Sequence, residues 1–184
     1  MRPTANTSES STDSIALAPA VEADYAQVVD RANAAYRGAA GGWTTEAGII
    51  AGLRLTDATL RQDLADKPDA VLLVHRDPDG LVRGTVWLEP VGNEVWYLGL
   101  LTVRPEEQNA GLGRQMLSAA EDWVRAHCGT TIRMTVLNVR DTLLAWYERR
   151  GYRRTGATVP FPYDDERVGV PLQDDLCFLV LEKK

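Results

Sequence analysis

The apolar positions of this chain recur with two different periods, and the period changes repeatedly between residues 15 and 184. "SIALAP" has the short apolar run of a strand. The next segment puts Tyr25, Val28, Val29, Ala32 and Tyr36 on one side at a 3.6-residue spacing, which predicts a helix that Gly38 ends. "AAGGWTTEAGIIAGLRL" predicts a glycine hinge running on into helix. A further helix is expected from Thr56 or Asp57, carrying Leu60 and Leu64 on one side and stopping before Pro68. "AVLLVHR", the turn "DPDG" and "LVRGTVWLEP" predict a hairpin, and "EVWYLGLLTV" a third antiparallel strand. Leu112, Met116, Leu117, Ala120, Trp123 and Val124 then repeat at helical spacing. "TIRMTVLNV" predicts a strand, "DTLLAWYERR" a helix closed by Gly151, and "YRRTGATV" and "DLCFLVLEK" the last two strands. The expected fold is a single α/β (α+β) domain over residues 15–184, with a mixed, mostly antiparallel sheet of about seven strands flanked by helices. Residues 1–14 are rich in Ser and Thr and poor in large apolar side chains, so a disordered tail is expected there.

Length and charge narrow the function. A chain of 184 residues supports one sizeable core and one active site. The net charge is −6 and no basic stripe is present, so nucleic acid is not the expected partner. No run approaches the roughly eighteen apolar residues of a membrane span, and "MRPTANTSESSTDS" lacks the apolar segment of a secretory signal, which predicts a cytoplasmic protein. Cys128 and Cys177 have no metal-ligand spacing and are expected to be packing residues, with no metal bound.

The stretch "LLTVRPEEQNAGLGRQML" carries the chemistry. A strand that runs into Gly111 and Gly113 and then into a helix gathers backbone N–H groups and a helix N-terminus in one small volume, which suits an anion. Glycine would let phosphate oxygens approach the main chain, although a tight turn could need it for its backbone angles alone. A Walker loop would end in Gly-Lys-Ser/Thr, whereas this corner ends in Gly113, Arg114 and Gln115. A dinucleotide fingerprint belongs on a first parallel βαβ unit, whereas this corner follows three antiparallel strands.

The same residues resemble the acetyl-CoA pyrophosphate loop of the GNAT superfamily of acyl-CoA N-acyltransferases, whose pattern is Gln/Arg-x-x-Gly-x-Gly/Ala. Gln108, Gly111 and Gly113 stand at its three positions. Downstream, "LLAWYERRGY" is similar to the family's second motif, with Tyr147 on its tyrosine, Gly151 on its glycine and Tyr152 in place of the usual Phe. The resemblance covers nearly all of the chain after the tail and implies a GNAT-like fold and acetyl-CoA as co-substrate. It implies cofactor contacts from Leu101, Thr102 and Val103 on the strand and from Gln108, Asn109, Ala110, Gly111, Leu112, Gly113 and Arg114 at the corner. The family often has Asn seven residues before the motif tyrosine; here that residue is Arg140, a cofactor or substrate contact or a solvated helix-start arginine. Gly99 is consistent with a bulge that opens the sheet beside the thioester.

Acetyl transfer to an amine needs a neutral amine, a stabilised oxyanion and a proton for the departing thiolate. Tyr147, with an ordinary phenol pKa of about 10, is the natural donor to a thiol near 8.5. The base is open between Glu46 and Glu89; His75 and His127 are poorer candidates. Trp43, Thr44 and Glu46 are expected on the acceptor side, with Thr45 beside them and Asp164, Asp165 and Glu166 in a lid that would suit a cationic amine. The leading expectation is N-acetylation of a primary amine on a small molecule. The alternatives are a protein N-terminus or lysine as acceptor, or a non-catalytic acyl-CoA sensor. A homodimer, through exposed strands or the C-terminal hairpin, is compatible with the sequence.

Overall fold

The computed structural model describes residues 15–38, 45–104 and 111–184. The expected N-terminal tail lies outside the described residues. Nine strands and four α-helices follow in the order β1 (Ala18–Pro19), α1 (Tyr25–Arg37), β2 (Ile50–Ala51), α2 (Asp57–Asp66), β3 (Val71–Arg76), β4 (Val82–Pro90), β5 (Val95–Val103), α3 (Leu112–Ala126), β6 (Thr131–Leu137), α4 (Asp141–Glu148), β7 (Arg153–Pro160), β8 (Val170–Pro171) and β9 (Cys177–Lys183) among the described residues. Seven strands form one sheet in the order β1-β3-β4-β5-β6-β9-β7, and β2 pairs with β8 in a small second sheet. Every pair in the large sheet is antiparallel except β5 with β6. The mixed, mostly antiparallel α/β fold expected from the sequence is the one observed.

Alternation along the strands divides the core. Leu73 of β3 packs with Val86, Met116, Leu117, Leu144 and Leu181 on the face covered by α3 and α4. Its neighbours Leu72 and Val74 point the other way, joining Val28, Ala32 and Leu60 of α1 and α2. The helical stripe read for α3 is the buried one: Met116, Leu117, Ala120 and Val124 are at most 2% exposed. Burying one such aliphatic side chain contributes roughly 1.5–3 kcal/mol. Gly84 on β4 lets this helix in close, since a Cβ there would lie 2.9 Å from Met116 Sδ. Tyr152, in the place where a Phe was expected, donates its hydroxyl to Glu121 Oε1 at 3.1 Å, and Lys183 holds the other oxygen at 2.7 Å. That buried network ties α3 to β9.

Two expectations fail locally. The segment after residue 44 does not continue into helix: it makes a turn at residues 47–49 and then β2, because Gly52 takes a positive φ of 88° and Ile50 and Ala51 find partners in Pro171 and Val170. Cys128 is exposed instead of packed, while Cys177 is half-buried; both thiols are free. Among the described residues no helix is long and apolar enough to cross a membrane, and no cluster of potential metal ligands occurs.

Candidate active site

The site begins with a fault in the sheet. Thr85 and Trp87 of β4 face Thr102 and Gly99 of β5, so two steps on one strand oppose three on the other. The extra residue is a β-bulge at Leu100 and Leu101, and Leu100 takes a left-handed φ of 47°. Its carbonyl accepts from Thr85 Oγ1 at 3.0 Å, and that hydroxyl lies 2.6 Å from Thr102 Oγ1. Gly99 sits beside the bulge for a different reason: a Cβ there would stand 3.0 Å from the ring of Tyr97. The parallel pairing of β5 with β6 stops at Tyr97 and Arg133, while both strands run on. Past that point they part, bridged only by Tyr97 Oη and Thr135 Oγ1 at 3.0 Å among the described residues.

Two cavities, each of about 470 Å³, open along this split. The first is lined by Leu101, Thr102 and Val103, by Gly111, Gly113 and Arg114, and by one face of α4. With its hydroxyl engaged by Thr85, Thr102 can offer the cavity its main chain. Gly111 is the N-cap of α3 and has φ 87°, a left-handed conformation that glycine alone adopts readily. Gly113 has no such constraint, and a Cβ on it would meet nothing nearer than Trp146 Cζ2 at 3.9 Å. Its bareness leaves the helix N-terminus, which no side chain caps among the described residues, open to a ligand.

Cations collect at this end. On α4 and just beyond, Thr142, Leu143, Trp146, Tyr147 and Arg150 recur at helical spacing and line the first cavity together with Arg149. Arg150 stacks on Trp146, with its guanidinium carbon 3.6 Å from the ring centre, and donates from Nη1 to the Trp146 carbonyl at 2.7 Å. Its Nε is buried without a partner. Burial and the charges of Arg149 and Arg114 hold the Arg150 pKa below the ordinary arginine value, the mark of a place with surplus positive potential. The sequence reading missed Arg149 and Arg150, although both stand in "YERRGY" next to the motif tyrosine.

The second cavity is lined by the split itself, the end of α1, the β2 turn and the loop after β7. It shares Tyr36, Leu101, Leu143 and Tyr147 with the first cavity. Tyr147 therefore stands where the two meet. It is 7% exposed, and burial, with Tyr36 and Tyr97 nearby, pushes its phenol far above the usual value. Tyr36, read only as a helix-face residue, donates its hydroxyl towards the Leu101 carbonyl at 3.4 Å and is itself pushed up to about 12 by burial.

The remaining sequence candidates separate clearly. Glu46 lines the second cavity, where Oε1 accepts from Arg140 Nη1 at 3.0 Å and Oε2 from Arg37 Nη1. Glu89 lines neither cavity; it holds Lys67 at 2.7 Å and Trp87 Nε1 at 3.3 Å. It stands two residues beyond Trp87 on β4, opposite Tyr97, and is not brought together with Tyr147. Arg140 lines the second cavity and not the one with Gly111, and it is 7% exposed, so it is buried and not a solvated helix start. Leu112 packs on the core beneath α3 and turns away from the first cavity. Asp165 is engaged by Arg167, and the loop reaches the second cavity through Phe161, Pro162 and Val168 instead of its acidic residues. Trp43, Thr44, Gln108, Asn109 and Ala110 lie outside the described residues.

The site is thus a split sheet with the N-terminus of α3 at one end and a second cavity at the other. The acetyltransferase (GNAT) family pattern matches residues 40–152, well over half of the chain, and the protein belongs to that family. A mycothiol acetyltransferase of Beutenbergia cavernae is 31% identical over 85 residues, which are 46% of this chain and 29% of that protein; the match thus spans less than a third of the relative. A GCN5-related N-acetyltransferase from Kribbella flavida superposes with a TM-score of 0.65 at 20% identity, covering 94% of this chain and 99% of that one. A ribosomal-protein-alanine N-acetyltransferase from Brucella melitensis gives 0.65 at 19% identity, covering 92% and 99%. These two likenesses establish the shared fold.

Proposed function

We propose that the protein is an acetyl-CoA-dependent N-acetyltransferase that moves an acetyl group to a primary amine of a small molecule by direct attack on the thioester. The observation that carries this reading is the meeting of two cavities at Tyr147, one of which ends at the N-terminus of α3. Acetyl-CoA supplies an activated acyl group on a thiol leaving group. The residues present suit it: the open N-terminus of α3 and the Arg114, Arg149 and Arg150 cluster match a pyrophosphate, and the orphan Arg150 Nε offers a further donor. The edge of β5 past Tyr97 has no strand partner in β6, which leaves main-chain donors for a pantetheine amide and for a developing oxyanion.

Tyr147 is protonated at neutral pH, as an ordinary phenol near 10 already is, and burial raises its pKa further, so it stands in the form that can protonate a departing thiolate. Glu46 holds Arg37 and Arg140 on the acceptor side and is the candidate general base, acting directly or through an intervening water. The acceptor enters through the second cavity, whose walls enclose it on several sides as a small molecule requires.

The test is release of coenzyme A thiol from acetyl-CoA with a panel of amines, comparing wild type with Tyr147→Phe. The variant should lose about a hundredfold in kcat, the low end of general-acid effects, while KM for acetyl-CoA stays within about twofold. Unchanged kcat would make Tyr147 a core aromatic and remove it from the chemistry.

A further inference from the structure

The acceptor cavity holds more positive charge than its own residues neutralise, and this bears on what the acceptor must carry if the acetyl-transfer reading above holds. Among the described residues its charged lining consists of Arg37, Arg54, Arg140 and Glu46, three cations against one anion. Residues 39–44, which join α1 to this turn, contain no charged side chain. Glu46 is shared between Arg37 and Arg140, whose side chains are only 7% and 6% exposed. Arg37 finds one more acceptor in the Val168 carbonyl at 3.2 Å. Even so, Arg37 Nε and Arg140 Nη2 are buried with no hydrogen-bond partner among the described residues. Arg54 lies with its guanidinium carbon 5.4 Å from the Tyr36 ring centre and forms no salt bridge among the described residues. Surplus buried charge with unpaired donors costs several kcal/mol, and it persists where a ligand compensates it.

Apart from Tyr36, Tyr97, Thr135 and Tyr147, the rest of the wall is apolar. Ile50, Leu137, Phe161, Val168 and Phe178 contribute to it, and the Phe161 and Phe178 rings stack with centres 5.7 Å apart. A polyamine would bring like charge to the arginine cluster. A polyhydroxylated sugar would set hydroxyls against the phenylalanine stretch, which offers them no side-chain partner. We propose that the acceptor is an amino carboxylate with an apolar body: its carboxylate docks on Arg54 and the Arg37/Arg140 pair, its apolar part lies along the phenylalanine wall, and its amine faces the junction at Tyr147. The charge of the arginines also favours loss of a proton from that amine, since a cation is destabilised near them.

Pairs of amines that differ by one carboxylate test this directly: L-phenylalanine against phenethylamine, and L-leucine against 3-methylbutylamine, with spermidine as a polycation control. The amino acid of each pair should exceed its decarboxylated partner at least a hundredfold in kcat/KM, and spermidine should be the poorest acceptor. Arg54→Gln should lower kcat/KM for the amino acids about tenfold, chiefly through KM, and bring the members of each pair closer together; Arg54→Lys should restore part of the preference. Docking is also read without acetyl-CoA, by calorimetric titration with N-acetyl-L-phenylalanine and with N-acetylphenethylamine, of which only the first should bind. Equal or better turnover of the decarboxylated amines, or equal binding of the two products, overturns the inference while leaving the transferase reading in place. Failure to bind acetyl-CoA would overturn the transferase reading and leave the calorimetric comparison to decide this one.

Discussion

The two cavities have the same volume and share four wall residues, yet they are built by opposite means. The first is made mainly from residues 101–103, 111–114 and 142–150, with Ala35 and Tyr36 of α1 beside them, so that a strand end, a helix N-terminus and one face of α4 do most of the shaping. Its donors are main-chain N–H groups and exposed or half-exposed arginines. The second draws on α1, the β2 turn, β5, β6, the start of α4 and the loop after β7, and its polar groups are buried side chains locked to one another. A surface that grips a constant ligand by backbone can be written as a local motif. A surface that discriminates among acceptors by side chains gathered from across the fold cannot, and so can vary while the fold and the first cavity persist.

The sharpest way to break the comparison is to fill the first cavity without touching the second. Gly113 has φ outside the left-handed region and open space around its missing Cβ, so Gly113→Leu should fold normally and should be slightly stabilised, as replacement of a helical glycine is by roughly 0.5–1 kcal/mol. Acetyl-CoA affinity should nevertheless fall about a hundredfold, equivalent to about 2.7 kcal/mol, because a side chain there blocks the approach to the helix N–H groups. Calorimetric titration together with a thermal melt measures both; full affinity in a folded variant would end the pyrophosphate assignment. Gly111 is a poorer probe, since its positive φ makes any substitution there strain the backbone as well.

A smaller effect is expected from Arg150→Ala. Loss of one charge-assisted contact should weaken acetyl-CoA binding about tenfold and make it less sensitive to salt, with the amino-acid preference of the second cavity unchanged. A shift in that preference would mean that the two cavities are not functionally separate. The smallest expected change is with pH. A phenol raised by burial keeps its proton above the ordinary value near 10, so kcat should show no falling limb from Tyr147 between pH 8 and 10. A fall centred in that range that disappears in Tyr147→Phe would place the phenol at an ordinary pKa and contradict its burial. Stability follows the same sign: the contribution of the buried neutral phenols Tyr36 and Tyr147 is complete below about 10 and declines as pH rises beyond it, for Tyr36 until about 12.

The sequence by itself determined the order and type of the long elements, because their apolar spacing of two or 3.6 residues is a property of each segment alone. It determined the glycine corner and Tyr147 for the same reason, since both lie in continuous stretches whose residue types carry the geometry. Glu89 and the expected helix after residue 44 show where that reasoning stops. A carboxylate near the end of a strand is aimed by the strand's length and register, and a glycine-bearing segment takes whichever pairing the rest of the chain offers it. Tertiary structure alone decided that Arg37 and Arg140 converge on Glu46, with Arg54 on the wall of the same cavity; Glu46 and Arg140 stand 94 positions apart in the chain. No periodicity records that convergence, because it is fixed by how α1, the β2 turn and α4 pack around the split sheet, and the charge of the acceptor cavity is fixed with it.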